Sequence, residues 1–160
     1  MSKKKTSATP AVRVLKARNA DFLLHFYKYE DNGGTTAAAR ALGLDERQVI
    51  KTLVMEGDPG QYFLVLMHGD RQVSVKSLAR SLKIKTVTPC EPEIAQKITG
   101  YKVGGISPFG IRKALTIYLE SSIMSFDTIY INAGKRGALA QLAPEALVGI
   151  LNPVMVTVGI

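Results

Sequence analysis

The sequence predicts a single α+β domain, a mixed or antiparallel and barrel-like sheet flanked by short helices. Three observations carry this. The central run "QVIKTLVMEGDPGQYFLVLMHGDRQVSV" has the strand-turn-strand pattern of local hairpins, and short helices with recognisable caps are scattered before and after it. The third is negative: no Pro/Gly/Ser-rich linker and no internal repeat divides the 160 residues.

Element by element, Thr9 as N-cap and Pro10 at the first helical position open a helix through Arg18. "FLLHFYKY", Phe22 to Tyr29, reads as a strand, and "TTAAARALGL" as a helix ended by Gly43. The central run then gives three strands, turning at Gly57 to Gly60 and at Gly69-Asp70. Short helices are predicted at Lys76 to Leu82, Pro92 to Thr99 and Pro144 to Leu151. Further strands are predicted at Thr86, Thr116 to Leu119, Thr128 to Asn132 and Val154 to Val158. Residues 1–8 read as a disordered basic tail and 9–160 as the folded domain.

A chain of this length buries roughly 70% of the surface of its unfolded state, so it folds without a disulfide or a structural metal. The single cysteine, Cys90, has no internal partner, no secretory segment opens the chain, and no apolar run approaches the ~18 residues of a membrane span. These features predict a cytosolic protein that makes no membrane contact. Two histidines, His25 and His68, and one cysteine give no metal-ligand spacing, so neither metal nor cofactor is expected.

The formal charge is +8, and removing Lys3, Lys4 and Lys5 of the tail still leaves +5 on the body. Such a surface either attracts a polyanion, nucleic acid foremost, or is simply solvated.

"GYKVGGISPFG", Gly100 to Gly110, is rich in glycine yet too apolar for an ordinary solvated loop. Glycine permits positive φ and close approach, while Pro108 stiffens the segment and holds Ser107 extended. The loop is either a backbone cradle for a ligand or a tight corner packed on the core. Lys51, in the strand "VIKTLVM", is the second anomaly. Its ammonium either snorkels out at a sheet edge or sits partly desolvated at the floor of a cleft, where its charge acts strongly on a bound anion or carbonyl.

Familiar catalytic signatures are missing. "GGISPFGIRK" is not a phosphate-binding P-loop, and neither G-x-S-x-G nor G-x-G-x-x-G occurs. Cys90 in "TPCEPE" has Glu91 and Glu93 close behind it, which disfavours a thiolate.

Together, "VIKTLV", "TGYKVGGISPFG" and "TIYINAGKRG" resemble, in that order along the chain, the YbaK/EbsC family of aminoacyl-tRNA deacylases, related to the editing domain of bacterial prolyl-tRNA synthetases. The likeness extends from Thr9 to Val158 and is stronger to the cysteine-specific branch. It implies trans-editing of Cys-tRNA(Pro), with Cys-tRNA(Cys) as a further substrate and an Ala-tRNA(Pro) deacylase or a non-catalytic tRNA- or synthetase-binding module as alternatives. It implies Lys51 as the critical charged residue; Gly104, Gly105, Ile106 and Ser107 as the loop lining the aminoacyl pocket; and Tyr27 beside it. Arg112, Lys113, Lys135 and Arg136 are then the candidate contacts to the tRNA acceptor end, and prolyl-tRNA synthetase is an implied partner. Gly34 departs from the family, which commonly has a phenylalanine there to wall the pocket.

Overall fold

The computed structural model describes residues 9–160, so the tail expected at 1–8 lies outside the described residues. The order is α1 (Pro10–Ala17), β1 (Leu23–Phe26), α2 (Gly34–Leu42), a 3-10 turn (Glu46–Gln48), β2 (Val49–Glu56), β3 (Tyr62–His68), α3 (Val75–Leu82), β4 (Thr88–Pro89) and α4 (Pro92–Thr99). There follow β5 (Ile117–Glu120), a second 3-10 turn (Ser121–Ser125), β6 (Ile129–Asn132), β7 (Ala138–Leu142), α5 (Pro144–Leu151) and β8 (Val154–Val156). The strands form one mixed sheet in the order β1-β7-β6-β2-β3-β5-β8, with β4 attached to β2 beside the main path. None of the helices in the described residues is long and apolar enough to cross a membrane.

The central strand β3 explains the architecture. Leu64, Leu66 and Phe63, Val65, Met67 point to opposite faces, and all five are buried, so this run is apolar on both sides as a central strand must be. The even residues join the main core with Leu15, Phe109, Ile129 and Ile131. The odd ones join a second cluster beneath α3, with Met55, Leu78 and Val158.

Local signals explain the helices that the sequence predicts. The Thr9 hydroxyl accepts from the Val12 N–H at 3.1 Å, with Pro10 following it, and Gly43 closes α2 in the left-handed region at φ 67°. The β2–β3 hairpin turns where expected, closed by the Gly57 N–H donating to the Gln61 carbonyl at 2.9 Å.

Three expectations need correction. The third strand of the central run does not form: Ser74 caps α3, accepting from the Ser77 N–H, and "RQVS" pairs instead with the chain's end through the Gln72–Ile160 and Ser74–Val158 hydrogen bonds. The strand expected over Phe22 to Tyr29 covers Leu23–Phe26 only, because β7 pairs with it over those four residues. The strand placed at Thr86 lies at Thr88–Pro89. One strand is absent from the reading altogether. β7, "ALAQL", has helical composition, yet it fills the slot between β1 and β6, where Ala138 and Ala140 are buried.

The chain's end is held by an unusual group. Glu120 is fully buried, and its carboxylate accepts from the Val158 N–H at 2.8 Å and the Gly159 N–H at 3.2 Å. Glu120→Ala leaves both donors unpartnered and should lower stability by about 1–3 kcal/mol. Urea unfolding checks this, and an unchanged midpoint would show the clasp to be dispensable.

Candidate active site

A cleft of about 410 Å³ opens where the sheet divides. β2 pairs with β6 only at Val49 and Ile50, and with β4 only at Met55 and Glu56. Between these two pairings the edge of β2 from Lys51 to Leu53 has no strand beside it, and these residues line the cleft. The orientation of the Thr52 peptide follows from its neighbours. Cys90 N–H donates to the Val54 carbonyl and Leu64 N–H to the Thr116 carbonyl, so the Val54–Leu64 pair directs its polar groups away from the β2–β3 ladder. Thr52, two residues along, has the same orientation and turns its N–H and C=O toward the gap. Its hydroxyl is buried and has no hydrogen-bond partner among the described residues. A ligand in the cleft therefore meets a backbone donor and a backbone acceptor at one residue.

Lys51 is half-buried on this edge, and its Nζ donates to the Gly69 carbonyl at 3.4 Å. That carbonyl also accepts from the Thr35 hydroxyl, which reaches the Glu46 carboxylate as well, at 2.9 Å, and Thr36 donates to the same carboxylate oxygen. Glu46 thus ties the first turn of α2 to the floor beside Lys51. Burial pulls the Lys51 pKa below the ordinary lysine value, opposed by the negative charges of Glu46 and Asp70. Activity that needs the ammonium should fall on the alkaline side below the ordinary lysine range. Glu46→Gln removes one opposing charge and should move that limb to lower pH, whereas an unmoved limb in a pH–rate profile would separate Glu46 from Lys51.

The glycine-rich loop forms the opposite wall, but its residues divide in function. Gly104 and Ile106 line the cleft with Val103. Gly104 has φ 92°, and a Cβ there would lie 2.9 Å from the Tyr29 ring, so glycine is required by conformation and by space. Gly105 is buried and faces away: a Cβ would lie 2.8 Å from the Arg136 backbone nitrogen. Ser107 is also buried outside the cleft lining, its hydroxyl accepting from the Phe109 N–H at 3.2 Å, so it shapes the loop from within. The corner and the cradle are thus the same segment at different residues.

Tyr27 lines the cleft as expected, and burial with the neighbouring Tyr29 raises its phenol pKa. Gly34 also lines it, with φ 58° and open space where a side chain would project, so the cleft is unwalled at that position.

Sequence reasoning missed Tyr29, Thr52, Thr35 with Glu46, and Asn132. Asn132 is the pin of the wall: its Oδ1 accepts from the Gly134 and Lys135 N–H groups while its Nδ2 donates to the Gly104 carbonyl at 3.1 Å. An asparagine directly before Ala-Gly after a strand was the available signal, since that residue commonly closes a turn with its own side chain.

Of the four predicted tRNA contacts, all exposed, Arg136 reaches the cleft wall. Its Nε donates to the Val103 carbonyl at 2.8 Å, and its guanidinium lies 5.1 Å from the Tyr29 ring centroid. Lys135 sits on the same turn outside the cleft. Arg112 rests beside Gly100, donating to the Lys97 carbonyl, and Lys113 lines neither this cleft nor the basic one next to it.

No histidine or cysteine lines the cleft, and the Thr35 hydroxyl beside the Glu46 carboxylate is also engaged with the Gly69 carbonyl. His68 is occupied by the Arg47 carbonyl and Ser122, and His25 by Gln141. Cys90 lies outside the cleft with its thiol pKa raised by burial and by Glu56 and Glu91. Among the described residues no group of three or more His, Cys, Asp or Glu side chains is placed to hold a metal ion.

Comparison with known proteins completes the picture. The aminoacyl-tRNA editing domain matches residues 31–150. EbsC of Enterococcus faecalis, a proposed Cys-tRNA(Pro)/Cys-tRNA(Cys) deacylase, is 30% identical over 95% of this chain and 94% of its own. A proline–tRNA ligase of Caldicellulosiruptor bescii is 30% identical over 59% of this chain, which corresponds to 16% of the ligase. The fold matches the hypothetical protein APE2540 at a TM-score of 0.84 (24% identity, 92% of this chain, 97% of that one). It also matches a proposed trans-editing enzyme for prolyl-tRNA synthetase at 0.79 (22% identity, 95% and 98%). With the sheet, the lysine edge and the glycine-rich wall in place, the chain belongs to the aminoacyl-tRNA editing domain family.

Proposed function

We propose that this protein is a cytoplasmic trans-editing deacylase that removes cysteine from Cys-tRNA(Pro), and from Cys-tRNA(Cys), using the substrate's own thiol. The observation that carries the reading is the Lys51 ammonium on an open strand edge in a cleft whose lining holds no histidine or cysteine. On this reading catalysis comes from orientation and charge rather than covalent attack by the protein. Thr52 and the Gly104 wall orient the aminoacyl ester, and Lys51 stabilises the negative charge that develops on its carbonyl oxygen. The cysteine sulfur attacks the carbonyl carbon, the ester C–O bond breaks, and the thiol proton ends on the departing ribose oxygen. The products are a cyclic thiolactone and free tRNA, a lyase-type cleavage; water then opens the thiolactone, making the sum a hydrolysis.

The relative EbsC supports the cysteine assignment, and the likeness to proline–tRNA ligases supports prolyl-tRNA synthetase as the partner that presents the tRNA. Purified protein incubated with Cys-tRNA(Pro) and, separately, Ala-tRNA(Pro) tests the reading by release of the amino acid. Preferential release of cysteine is expected. Release of alanine instead would make it an alanyl-specific deacylase, and tight tRNA binding without release would make it a binding module.

A further inference from the structure

We propose that a second, basic cleft beside the first holds the phosphodiester backbone leading to the aminoacylated adenosine, so that the loop Lys102 to Gly105 is a divider over which the RNA 3′ end passes. The inference rests on the reading of the first cleft as the aminoacyl site. The second cleft has a volume of about 430 Å³, and Gly100, Lys102, Gly105, Gly134, Lys135 and Arg136 are among its lining residues. The divider faces both ways: Val103 and Gly104 line the first cleft, Lys102 and Gly105 the second.

Charge identifies the ligand class. The second cleft has three cationic side chains and no acidic residue in its lining. The ion pair found among the described residues, Arg47 with Asp45, lies elsewhere, so none of the three is neutralised by a carboxylate there. Arg136 is committed to the divider through the Val103 carbonyl and the Tyr29 ring. Lys102 and Lys135 are exposed and remain for the ligand.

The cleft's shape agrees with a backbone rather than a base as the occupant. Gly134 has φ 92°, and a Cβ on it would strike the Tyr101 ring at 2.7 Å, so main chain packs directly on that ring and no side chain fills the cleft there. The Gly134 and Lys135 amides are already bonded to Asn132, and the Tyr101 hydroxyl donates to the Phe109 carbonyl. What remains is the charge of two free lysines beside the braced Arg136. Such a site neutralises phosphates without reading sequence.

The test uses an uncharged RNA microhelix ending in single-stranded CCA, its affinity measured across a salt series. Lys102→Ala with Lys135→Ala should weaken binding and flatten the slope of log affinity against log salt by about 1.4, since each phosphate contact on a single strand contributes about 0.7. Circular dichroism confirms the fold of the variant. An unchanged slope in the folded variant overturns the proposal. So does an equal loss of turnover on aminoacyl-adenosine, which has no phosphodiester and would place the lysines in the aminoacyl site. A wild-type protein that binds the microhelix with the expected lysine-dependent slope but deacylates neither Cys- nor Ala-tRNA(Pro) supports this cleft while refuting the enzymatic reading, so the two failures are distinguishable.

Discussion

Lys51→Ala should lower the rate of the proposed Cys-tRNA(Pro) deacylation by about a hundredfold, the usual scale for losing one preorganised electrostatic group. The side chain is half-buried at a strand edge, and its single hydrogen bond is to the Gly69 carbonyl. Removing it leaves that carbonyl with the Thr35 hydroxyl as donor, so the fold survives. The loss should appear in kcat, because a charge acting on the developing oxyanion matters most in the transition state. Lys51→Met, which keeps the chain length without the charge, should be as poor as alanine. Near-normal turnover in either folded variant would return Lys51 to a passive edge residue.

Gly104→Val is the second large effect, a loss of at least about tenfold. A branched residue at φ 92° is strained by roughly 1–3 kcal/mol, and its Cβ would collide with the Tyr29 ring. The loop must shift, taking with it the Asn132 contact to the Gly104 carbonyl and the Arg136 contact to Val103. Ser107→Ala should damage activity less, because that hydroxyl is buried under the loop and serves the Phe109 N–H. Steady-state kinetics on the two variants decide the order. If Ser107→Ala alone abolishes turnover, or an acyl-serine is trapped, the wall acts through its serine and the mechanism proposed here is wrong.

These variants also show what a sequence can disclose. The capped helices were legible because caps are local chemistry: Thr9-Pro10 and Gly43 act within one turn of chain. β7 was not, since alanine and leucine carry no strand preference and its pairing with β1 and β6 is a tertiary fact. The site divides in the same way. Lys51 stood out as a charge in an apolar strand, and the glycine-rich loop as a composition without a bland explanation. Ser107 and Gly105 looked equivalent to Gly104 in sequence, but the loop turns between them and buries both. Thr52 was invisible because its importance lies in a missing neighbour: only the gap between the β6 and β4 pairings leaves its peptide open. Arg136 was read as a phosphate contact, and its geometry also braces the wall from Val103 to Tyr29.

In the proposed mechanism the substrate's thiol is the nucleophile while the protein supplies orientation and charge. Single-turnover cleavage of Cys-tRNA(Pro) against the same tRNA bearing S-methylcysteine tests it most directly. Rapid cleavage of the free-thiol substrate with a thiolactone as the first product is expected, with loss of nearly all acceleration once the sulfur is methylated. Cleavage of the methylated substrate at a comparable rate would contradict it, because water or a protein group would then be the attacking nucleophile.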